Sequence, residues 1–456
     1  MAHTNRHFRY FWCCLSKTSI LYTEMVMADE IVRHADNPHE LDRLLGCDHE
    51  IESPLVLQLG GNDPNTLRHA VRIARSRGYN HFNLNCGCPS NTVASENVMG
   101  ASLMLDPELT AACCYAMHQE LSDSPDHIHS DYASTTDDTT TTTTTAVFPS
   151  SSSSRTGSSS SSSSSSSSFP NHHHHQLPGL SVKCRIGVND KDSYEDLRSF
   201  VSTVSRVGRV RRFQIHARKA VLGLNTKDNR LVPPLNYEYV YRLVTDFPSL
   251  QFELNGGVES VTCMNKHRMA SPNLAGVMVG RACVNHPYSF VGVDATSEDV
   301  PVCTSGQSDD ISDKFSKHEN TFPGNYGNNN MDSSVLNADD VIVKCPSRGE
   351  ILEKYTLYCE SLASATATQR RPVPVSVLLA PVYNLLAGEQ GCDKFRRRLK
   401  KLSVRCADAA SVVRAAATEI PPSALWEGRG LFVPVDRLAV HEKMPRVTAP
   451  LHSRIV

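Results

Sequence analysis

Residues 55–85 read LVLQLGGNDPNTLRHAVRIARSRGYNHFNLN, and this stretch decides the fold class. Each end is a short apolar run rich in β-forming residues, which is typical of a buried strand. Between the two runs, apolar residues recur at helical spacing, and Gly78 ends the pattern. A strand, a helix and a second strand in this order predict two parallel strands joined by a right-handed crossover.

The same unit repeats along the chain. Apolar runs of strand length recur at 20–25, 55–61, 81–85, 181–187, 212–218, 251–257 and 275–281. Amphipathic segments lie between several of them, such as SYEDLRSFVSTVSRVG at 193–208. The repetition predicts an α/β protein, a (β/α)8 TIM barrel short of one strand. An open doubly wound sheet is the alternative, but no GxGxxG motif follows the first strand, which disfavours a dinucleotide-binding fold.

Two low-complexity segments interrupt this pattern. Residues 122–176 contain threonine and serine runs and four histidines at 172–175, and residues 295–337 are rich in Ser, Asp, Asn and Gly. Such compositions bury too little apolar surface to offset the entropy of ordering, so both are predicted to be disordered insertions. We therefore expect a barrel over 1–294 that contains the first insertion, a second insertion over 295–337, a helical domain over 338–420 and an irregular tail over 421–456.

Composition excludes several classes of protein. The histidine tract has no surrounding structure to fix ligand geometry, and the fifteen cysteines form no CxxC pair, so no metal site is expected. The lack of a signal peptide indicates reduced thiols in an intracellular protein. The lack of an apolar run of about 18 residues predicts no membrane span. The net charge of −2 indicates no partner class by itself.

One local charge cluster is more informative. Residues 388–405 carry seven basic side chains against two acidic ones. The basic residues are Lys394, Arg396, Arg397, Arg398, Lys400, Lys401 and Arg405. Such a run is either the solvated face of a helix or a surface that binds phosphate groups.

Polar side chains gather at the C-terminal ends of the predicted strands, where barrel enzymes carry their active sites. They are Glu24, Gln58, Asn83, Asn85, Lys183, Arg185, His216, Arg218, Asn255 and Arg281. Any one of them alone could be a structural polar group that is satisfied by its neighbours. Because all seven strands end in such groups, we predict a ligand site at this mouth.

The last two strand ends indicate the kind of ligand. Asn255-Gly256-Gly257 and Gly280-Arg281 follow consecutive strands. Glycines there allow backbone N–H groups to approach an anion closely, and Arg281 adds a charged fork. Loops at these positions of a barrel commonly bind phosphate, so a phosphorylated ligand is predicted. Two ordinary glycine turns are the alternative.

The chain resembles the tRNA-dihydrouridine synthases, and most closely the bacterial-type A subfamily, the tRNA-dihydrouridine(20/20a) synthases. The similar stretches are LYTEMV (21–26), LQLGGNDP (57–64), FNLNCGCPS (82–90), VMGASLM (98–104), VKCRIGVNDKDSYEDL (182–197), IHARKAVLGLNTKDNRLVPPLNY (215–237), NGGV (255–258) and GVMVGRACVNHPY (276–288). NLLAGEQGCDKFRRRLKKL (384–402) is similar to the start of the family's C-terminal domain, so 338–420 is expected to bind tRNA.

The resemblance implies FMN as cofactor and NADPH as reductant. Gln58 and Lys183 are expected to face the flavin ring, and His216 is expected to contact the flavin or its phosphate. The phosphate is expected to be held by Asn255, Gly256, Gly257, Gly280 and Arg281. A cationic group beside the flavin is reasonable because reduced flavin accumulates negative charge.

The resemblance also implies the substrate, a uridine in the D-loop of tRNA at positions 20 and 20a. Reduction of its 5,6 double bond needs a hydride on one carbon and a proton on the other, and Cys88 is the expected proton donor. A thiol in ordinary surroundings is protonated near neutral pH and can donate. Asn85 is expected to bind the base. The base must leave its stack to react, so basic contacts to tRNA are expected from Lys227, Arg230, Arg396 and Arg397.

Other residues near the mouth have less defined roles. Arg185 and Arg218 are expected to neutralise developing charge or hold a substrate phosphate. Cys86 is expected to be a packing residue, since Cys86 and Cys88 have no second ligand pair nearby and a zinc clip is a poor interpretation. The protein is expected to be a monomer in the cytoplasm, a plastid or a mitochondrion.

The chain departs from the family at its start. The family begins with a strand that ends in Ala-Pro-Met, and Met1 falls on that methionine. The first barrel strand is therefore expected to be missing from the chain as given, with a true start upstream. One alternative is a barrel that binds RNA without flavin. Another is a flavin barrel for a small molecule such as orotate, which the basic helix and the GCPS motif oppose.

Overall fold

The computed structural model describes residues 3–89, 99–122, 179–296, 341–369, 373–406, 408–426 and 430–433. Side chains are described for these residues except 295–296, 341–344, 365–369 and 430–433. The predicted insertions, 122–176 and 295–337, lie outside the described residues apart from their first one or two positions. Most of the predicted tail lies outside them as well.

A parallel sheet forms the wall of a (β/α)8 barrel, as predicted. Its strands are β1 (Leu21–Tyr22), β2 (Val26–Met27), β3 (Leu55–Gly60), β4 (His81–Cys86), β5 (Leu180–Arg185), β6 (Arg212–His216), β7 (Gln251–Asn255) and β8 (Gly276–Met278). The order is β1-β3-β4-β5-β6-β7-β8, and β2 also pairs with β3. The single strand predicted over 20–25 is therefore wrong in detail, because two short strands flank residues 23–25. Within the described ranges, no pairing links β8 to β1.

Helices cover the outside of the sheet. They are α1 (Arg6–Cys13), α2 (Ala28–Arg33), α3 (Pro38–Leu45), α4 (Pro64–Arg75), α5 (Pro107–Ser122), α6 (Tyr194–Arg206), α7 (Glu238–Asp246), α8 (Val261–Ala270) and α9 (Arg281–Asn285). Helix α4 shows why the 55–85 stretch folds as predicted. The Asp63 side chain accepts from the Thr66 N–H, and Pro64 begins the helix. Its buried face is Leu67, Ala70, Val71 and Ala74.

Alternation along the strands separates an apolar outer face from a polar interior. On β4, Phe82 and Leu84 are buried against the helices, whereas Asn83 and Asn85 belong to the opposite face. Barrel interiors are usually filled by branched apolar side chains. Here several of the positions are amides, hydroxyls or charged groups instead, namely Gln58, Asn83, Asn85, Ser181, Lys183, Gln214 and Glu253.

The predicted C-terminal helical region is present. It comprises α10 (Arg348–Gln369), α11 (Val375–Leu379), α12 (Cys392–Ser403), α13 (Ala409–Ala417) and α14 (Pro422–Trp426), with a two-stranded sheet of β9 (Val341–Lys344) and β10 (Gly430–Val433). The prediction of an irregular tail is wrong over 422–426, which is helical, and over 430–433, which is a strand. These elements are too short to show periodicity in sequence, and β10 is stabilised by pairing with β9. None of the described helices has the length and apolarity needed to cross a membrane.

Aromatic contacts join the barrel to this helical region. The Tyr10 and Tyr358 rings stack with centroids 3.9 Å apart, and the Phe11 ring meets the edge of Tyr355 at 5.7 Å. A hydrogen bond of 2.8 Å links His7 Nδ1 to the Tyr358 hydroxyl. Burial lowers the pKa of His7 to about 4, so this imidazole is neutral. Helix α1 therefore contacts both the barrel and the C-terminal helical region.

A buried ion pair anchors α1. The Arg9 Nε donates to Glu52 Oε2 at 2.5 Å, and the two side chains are 5% and 3% exposed. Arg9 also donates to the carbonyls of Thr4 and Gly46, and Glu52 Oε1 accepts from the Asp48 N–H at 3.0 Å. The remaining hydrogen-bonding capacity of both charges is thus largely satisfied, which a buried pair requires.

Replacing Glu52 with Ala is expected to lower the free energy of unfolding by about 3–5 kcal/mol, because Arg9 would remain buried without its carboxylate. Denaturant unfolding followed by circular dichroism measures the change. Asp29→Asn is the matched control, since it removes the carboxylate from an exposed pair with Arg33 and should leave the unfolding midpoint unchanged. Equal effects of the two substitutions would show that the buried pair does not anchor α1.

Candidate active site

Five adjacent strands bring side chains predicted to bind the flavin or the substrate base to one mouth. These are Gln58 on β3, Asn85 on β4, Lys183 on β5, His216 on β6 and Asn255 on β7. The sheet register places Asn85 opposite Lys183, and His216 opposite Asn255. Gly280 and Arg281 lie just after β8, separated from it by Val279, and are exposed. The sequence therefore identified a set of residues that the fold does bring together.

The turn after β4 holds Cys88 at the mouth. The Asn85 Oδ1 accepts from the backbone N–H groups of Gly87 and Cys88, at 3.1 and 2.9 Å. The Cys88 carbonyl accepts from the Ala101 N–H at 2.9 Å. Cys88 is partly exposed, whereas Cys86 is fully buried in the core. Burial also raises the pKa of the Cys86 thiol well above its usual value.

Gln58 connects this turn to the barrel interior. Its Oε1 accepts from Asn85 Nδ2 at 2.9 Å, and its Nε2 donates to Asn83 Oδ1 at 2.8 Å. Its backbone N–H donates to the Thr23 hydroxyl at 3.0 Å. The amides of Gln58 and Asn85 are thus in direct contact, and each retains one N–H for a ligand.

Basic side chains surround a neutral histidine beside this pair. Burial, followed by the charges of Lys183, Arg185, Arg218 and Arg281, lowers the pKa of His216 well below its ordinary value. Burial and the Arg185 charge lower the pKa of Lys183 to about 8. His216 Nδ1 is buried and has no hydrogen-bond partner among the described residues. An unpaired buried nitrogen within a group of cations fits an anionic ligand.

The glycines at the ends of β7 and β8 form a cradle. Gly256 and Gly257 have φ of +110° and +72°, which side chains rarely adopt. A Cβ at Gly257 would lie 2.5 Å from the Tyr237 hydroxyl, and that hydroxyl donates to the Gly256 carbonyl at 3.0 Å. At Gly280 an added Cβ would meet nothing within 4 Å. With His216 Nδ1 and the basic side chains, this open backbone fits the phosphate of a cofactor such as FMN.

Arg185 has a different set of partners from those expected. Its Nε donates to the Gly87 carbonyl at 2.9 Å, and its Nη1 donates to the carbonyls of Lys219 and Asn229, both at 3.1 Å. The guanidinium is buried, and burial lowers its pKa to about 10. Arg185 therefore joins the Cys88 turn to the loop after β6.

The loop after β6 is organised around a buried amide. Asn229 donates to the carbonyls of Val221 and Leu224 and accepts from the Val221 N–H at 2.8 Å. Lys227 is exposed on this loop and Arg230 is partly exposed. Both predicted tRNA contacts are thus displayed by a loop that internal hydrogen bonds hold in place.

The two predicted arginines of α12 differ in their surroundings. Arg397 is exposed, whereas Arg396 donates to the Tyr383 carbonyl at 3.2 Å and to Asn384 Oδ1 at 2.8 Å. Asn384 Nδ2 in turn donates to the Val284 carbonyl of α9 at 2.9 Å. Arg396 therefore belongs to the contact between the helical region and the end of β8.

Some site residues were not predicted. Gln214 lies on the same face of β6 as His216, and the alternation in RFQIH is a signal that could have found it. Tyr237 and the Arg185 contacts depend on loop conformations, which no spacing in the sequence reveals. In the part of the chain that the structure describes, no group of three or more His, Cys, Asp or Glu is arranged to hold a metal ion.

Comparisons with known proteins agree with this geometry. The family model described as dihydrouridine synthase (Dus) matches residues 1–129 and 174–335. A Synechocystis protein named tRNA-dihydrouridine(20/20a) synthase is 39% identical over 295 residues, which are 64% of this chain and 69% of that protein.

Two other relatives carry the same name. The protein of Vibrio parahaemolyticus is 37% identical over 292 residues, 64% of this chain and 69% of its own length. The protein of Salmonella typhi is 36% identical over 292 residues, 64% of this chain and 68% of its own length. The resemblance to the A subfamily seen in the sequence is confirmed. The chain belongs to the dihydrouridine synthase family.

Proposed function

We propose that this oxidoreductase reduces uridine to dihydrouridine in the D-loop of tRNA, at positions 20 and 20a, with FMN as cofactor and NADPH as reductant. One observation carries the proposal. A partly exposed Cys88 is held in a fixed turn beside the amides of Gln58 and Asn85, at the same mouth as Lys183 and a cationic, glycine-lined cradle. The names of the relatives support the substrate and its positions.

The cofactor is held by two sets of residues. Gln58 and Lys183 face the ring, with one free amide N–H and an ammonium group for its electron-rich edge. His216, Asn255, Gly256, Gly257, Gly280 and Arg281 hold the phosphate. Bound FMN in its reduced form supplies the hydride that the reaction needs.

Cys88 supplies the proton. Its thiol donates a proton to the carbon of the 5,6 double bond that does not receive the hydride. Asn85 has one amide N–H free for a uracil carbonyl, and its Oδ1 simultaneously fixes the backbone of Cys88. One side chain therefore positions both the base and its acid.

The tRNA is bound through its phosphates. Lys227 and Arg230 lie on the braced loop after β6, and Lys394, Arg397, Lys400 and Lys401 form the exposed basic face of α12. Arg396 supports this face through Asn384. Phosphate contacts of this type supply much of the affinity and little sequence discrimination, so the choice of uridine depends on the mouth.

The proposed function and its acid are tested together with tRNA that lacks dihydrouridine. The wild-type protein, purified with FMN, is expected to form dihydrouridine when NADPH is supplied. Cys88→Ala should bind FMN normally and lower kcat by about a hundredfold or more, because the general acid is lost. Cys86→Ala is the matched control and should have a mild effect.

The outcomes are distinct in this assay. A wild-type protein that is colourless and binds tRNA would indicate the RNA-binding alternative. A flavin-containing protein that leaves the D-loop uridines unreduced would contradict the substrate. If Cys86→Ala lost activity while Cys88→Ala retained it, the assignment of the acid would be wrong.

Binding of FMN is expected to depend on pH through Lys183. The pKa of about 8 means that the ammonium is present below that pH and is lost above it. If only the protonated form binds well, the Kd for FMN rises about tenfold between pH 7 and pH 9. Flavin fluorescence quenching at each pH measures this Kd. Lys183→Met should bind weakly with no such pH dependence, and a flat wild-type profile would contradict this role.

Salt dependence tests the tRNA surface. Lys227→Gln and Arg397→Gln should each weaken tRNA binding and reduce the slope of log K against log salt concentration by about one. Lys266→Gln is the control, because that lysine is exposed on α8. Filter binding at several salt concentrations gives the slopes. Identical slopes for all three variants would exclude these two residues from phosphate contact.

A further inference from the structure

Four side-chain amides form a continuous chain inside the barrel. Asn83 Nδ2 donates to Gln214 Oε1 at 2.8 Å, and Gln58 Nε2 donates to Asn83 Oδ1 at 2.8 Å. Asn85 Nδ2 then donates to Gln58 Oε1 at 2.9 Å. Asn83 and Gln214 are both completely buried. The chain therefore runs from the closed interior to the mouth.

The donor-to-acceptor direction of all the hydrogen bonds between these four amides is fixed at the mouth. Asn85 Oδ1 accepts from the backbone N–H groups of Gly87 and Cys88, and a backbone N–H cannot become an acceptor. The amide group of Asn85 must therefore turn its nitrogen towards Gln58. Each amide then dictates the orientation of the next, as far as Gln214.

This direction leaves one amide donor without a partner at the interior end of the amide chain. Asn83 Nδ2 donates its second hydrogen to the Ser181 hydroxyl at 2.9 Å, and that hydroxyl donates to the Phe82 carbonyl at 3.2 Å. Gln214 Nε2 is buried and has no hydrogen-bond partner among the described residues. An unpaired buried donor is destabilising. What Gln214 contributes is its acceptor oxygen, which holds Asn83.

The direction of these amide hydrogen bonds determines whether the mouth presents N–H donors or amide oxygens to a ligand. After the internal bonds are made, Gln58 and Asn85 each have one N–H left. In the reverse orientation, the amide oxygens would point where these N–H groups now lie. Uracil and flavin rings carry carbonyl oxygens, so N–H groups attract them and amide oxygens repel them.

We propose that Asn83 and Gln214 are positioning residues, which hold the Gln58 side chain where its amide offers one N–H to the flavin and accepts from Asn85, the residue that faces the uracil. The inference rests on the function proposed above. Neither residue touches a ligand. Both act through Gln58, and the Asn85 amide links their effect to the Cys88 turn.

Two substitutions at one position test the proposal. Gln214→Met has similar size and removes the acceptor of Asn83, whereas Gln214→Glu retains an acceptor oxygen in either protonation state of its carboxyl. Thr110→Val is the control, since it removes a buried hydroxyl that donates to the Leu103 carbonyl outside the barrel interior. Asn83→Leu reaches the same network from its other side and replaces Gln214→Met if that variant does not fold.

Four quantities are measured in the full-length chain: the unfolding midpoint without FMN, the absorbance spectrum of bound FMN, and kcat and KM for tRNA. For Gln214→Met we expect a midpoint close to that of Thr110→Val, a shifted flavin band, and kcat lowered by about tenfold to a hundredfold at an unchanged KM. Gln214→Glu should restore both the spectrum and most of kcat.

Two results would overturn the positioning role alone. One is a Gln214→Met variant with the wild-type spectrum and kcat. The other is an equal loss in the Met and Glu variants, which would indicate a packing effect. A wild-type protein that neither binds FMN nor forms dihydrouridine would instead overturn the proposed function, and this inference with it.

Discussion

The oxygen of one amide, Asn85 Oδ1, constrains the candidate site more than any other atom. Two backbone N–H groups donate to it, so the amide has a single orientation and the turn to Cys88 has a single path. The same amide contacts Gln58 through its nitrogen. Because hydrogen bonds in a dry interior are strong and unpaired groups are costly, the orientation extends through neighbouring amides. The positions of the Cys88 thiol and of the amide donors at the mouth are therefore set by one arrangement.

This arrangement requires a barrel interior in which polar side chains replace apolar packing. Polar groups occupy positions that branched side chains usually fill, and they are stabilised only where each finds a partner. Apolar stabilisation comes instead from the outer layer, where strands meet helices, and from the aromatic contacts of α1 with α10. The buried pair of Arg9 and Glu52 fixes α1 on the barrel side. The stability of the site thus depends on the apolar packing of the outer layer and of α1, which lie away from the mouth.

The sequence predicted the barrel because six of its strands, from 55–61 onwards, are long enough to show their apolar runs. It failed at 20–25, where two short strands replace one, and at 430–433, where pairing with β9 stabilises a strand without a pattern. Position at the C-terminal end of an apolar run predicted the strand-end groups such as Lys183 and His216. The sequence did not predict the partners of Arg185 or Arg396, because a long side chain reaches carbonyls on loops whose paths follow from tertiary contacts.

The basic residues at the mouth also affect the pKa values of His216 and Lys183. Burial, and then the charges of Lys183, Arg185, Arg218 and Arg281, lower the pKa of His216, so the imidazole is neutral; burial, and then the Arg185 charge, lower the pKa of Lys183. Arg185 and Arg218 are partly compensated by carbonyl groups, which carry only partial charge. A dianionic phosphate and an electron-rich ring would relieve this repulsion at several residues at once. The charge of the proposed cofactor is therefore a component of the stability of the site as well as of its chemistry.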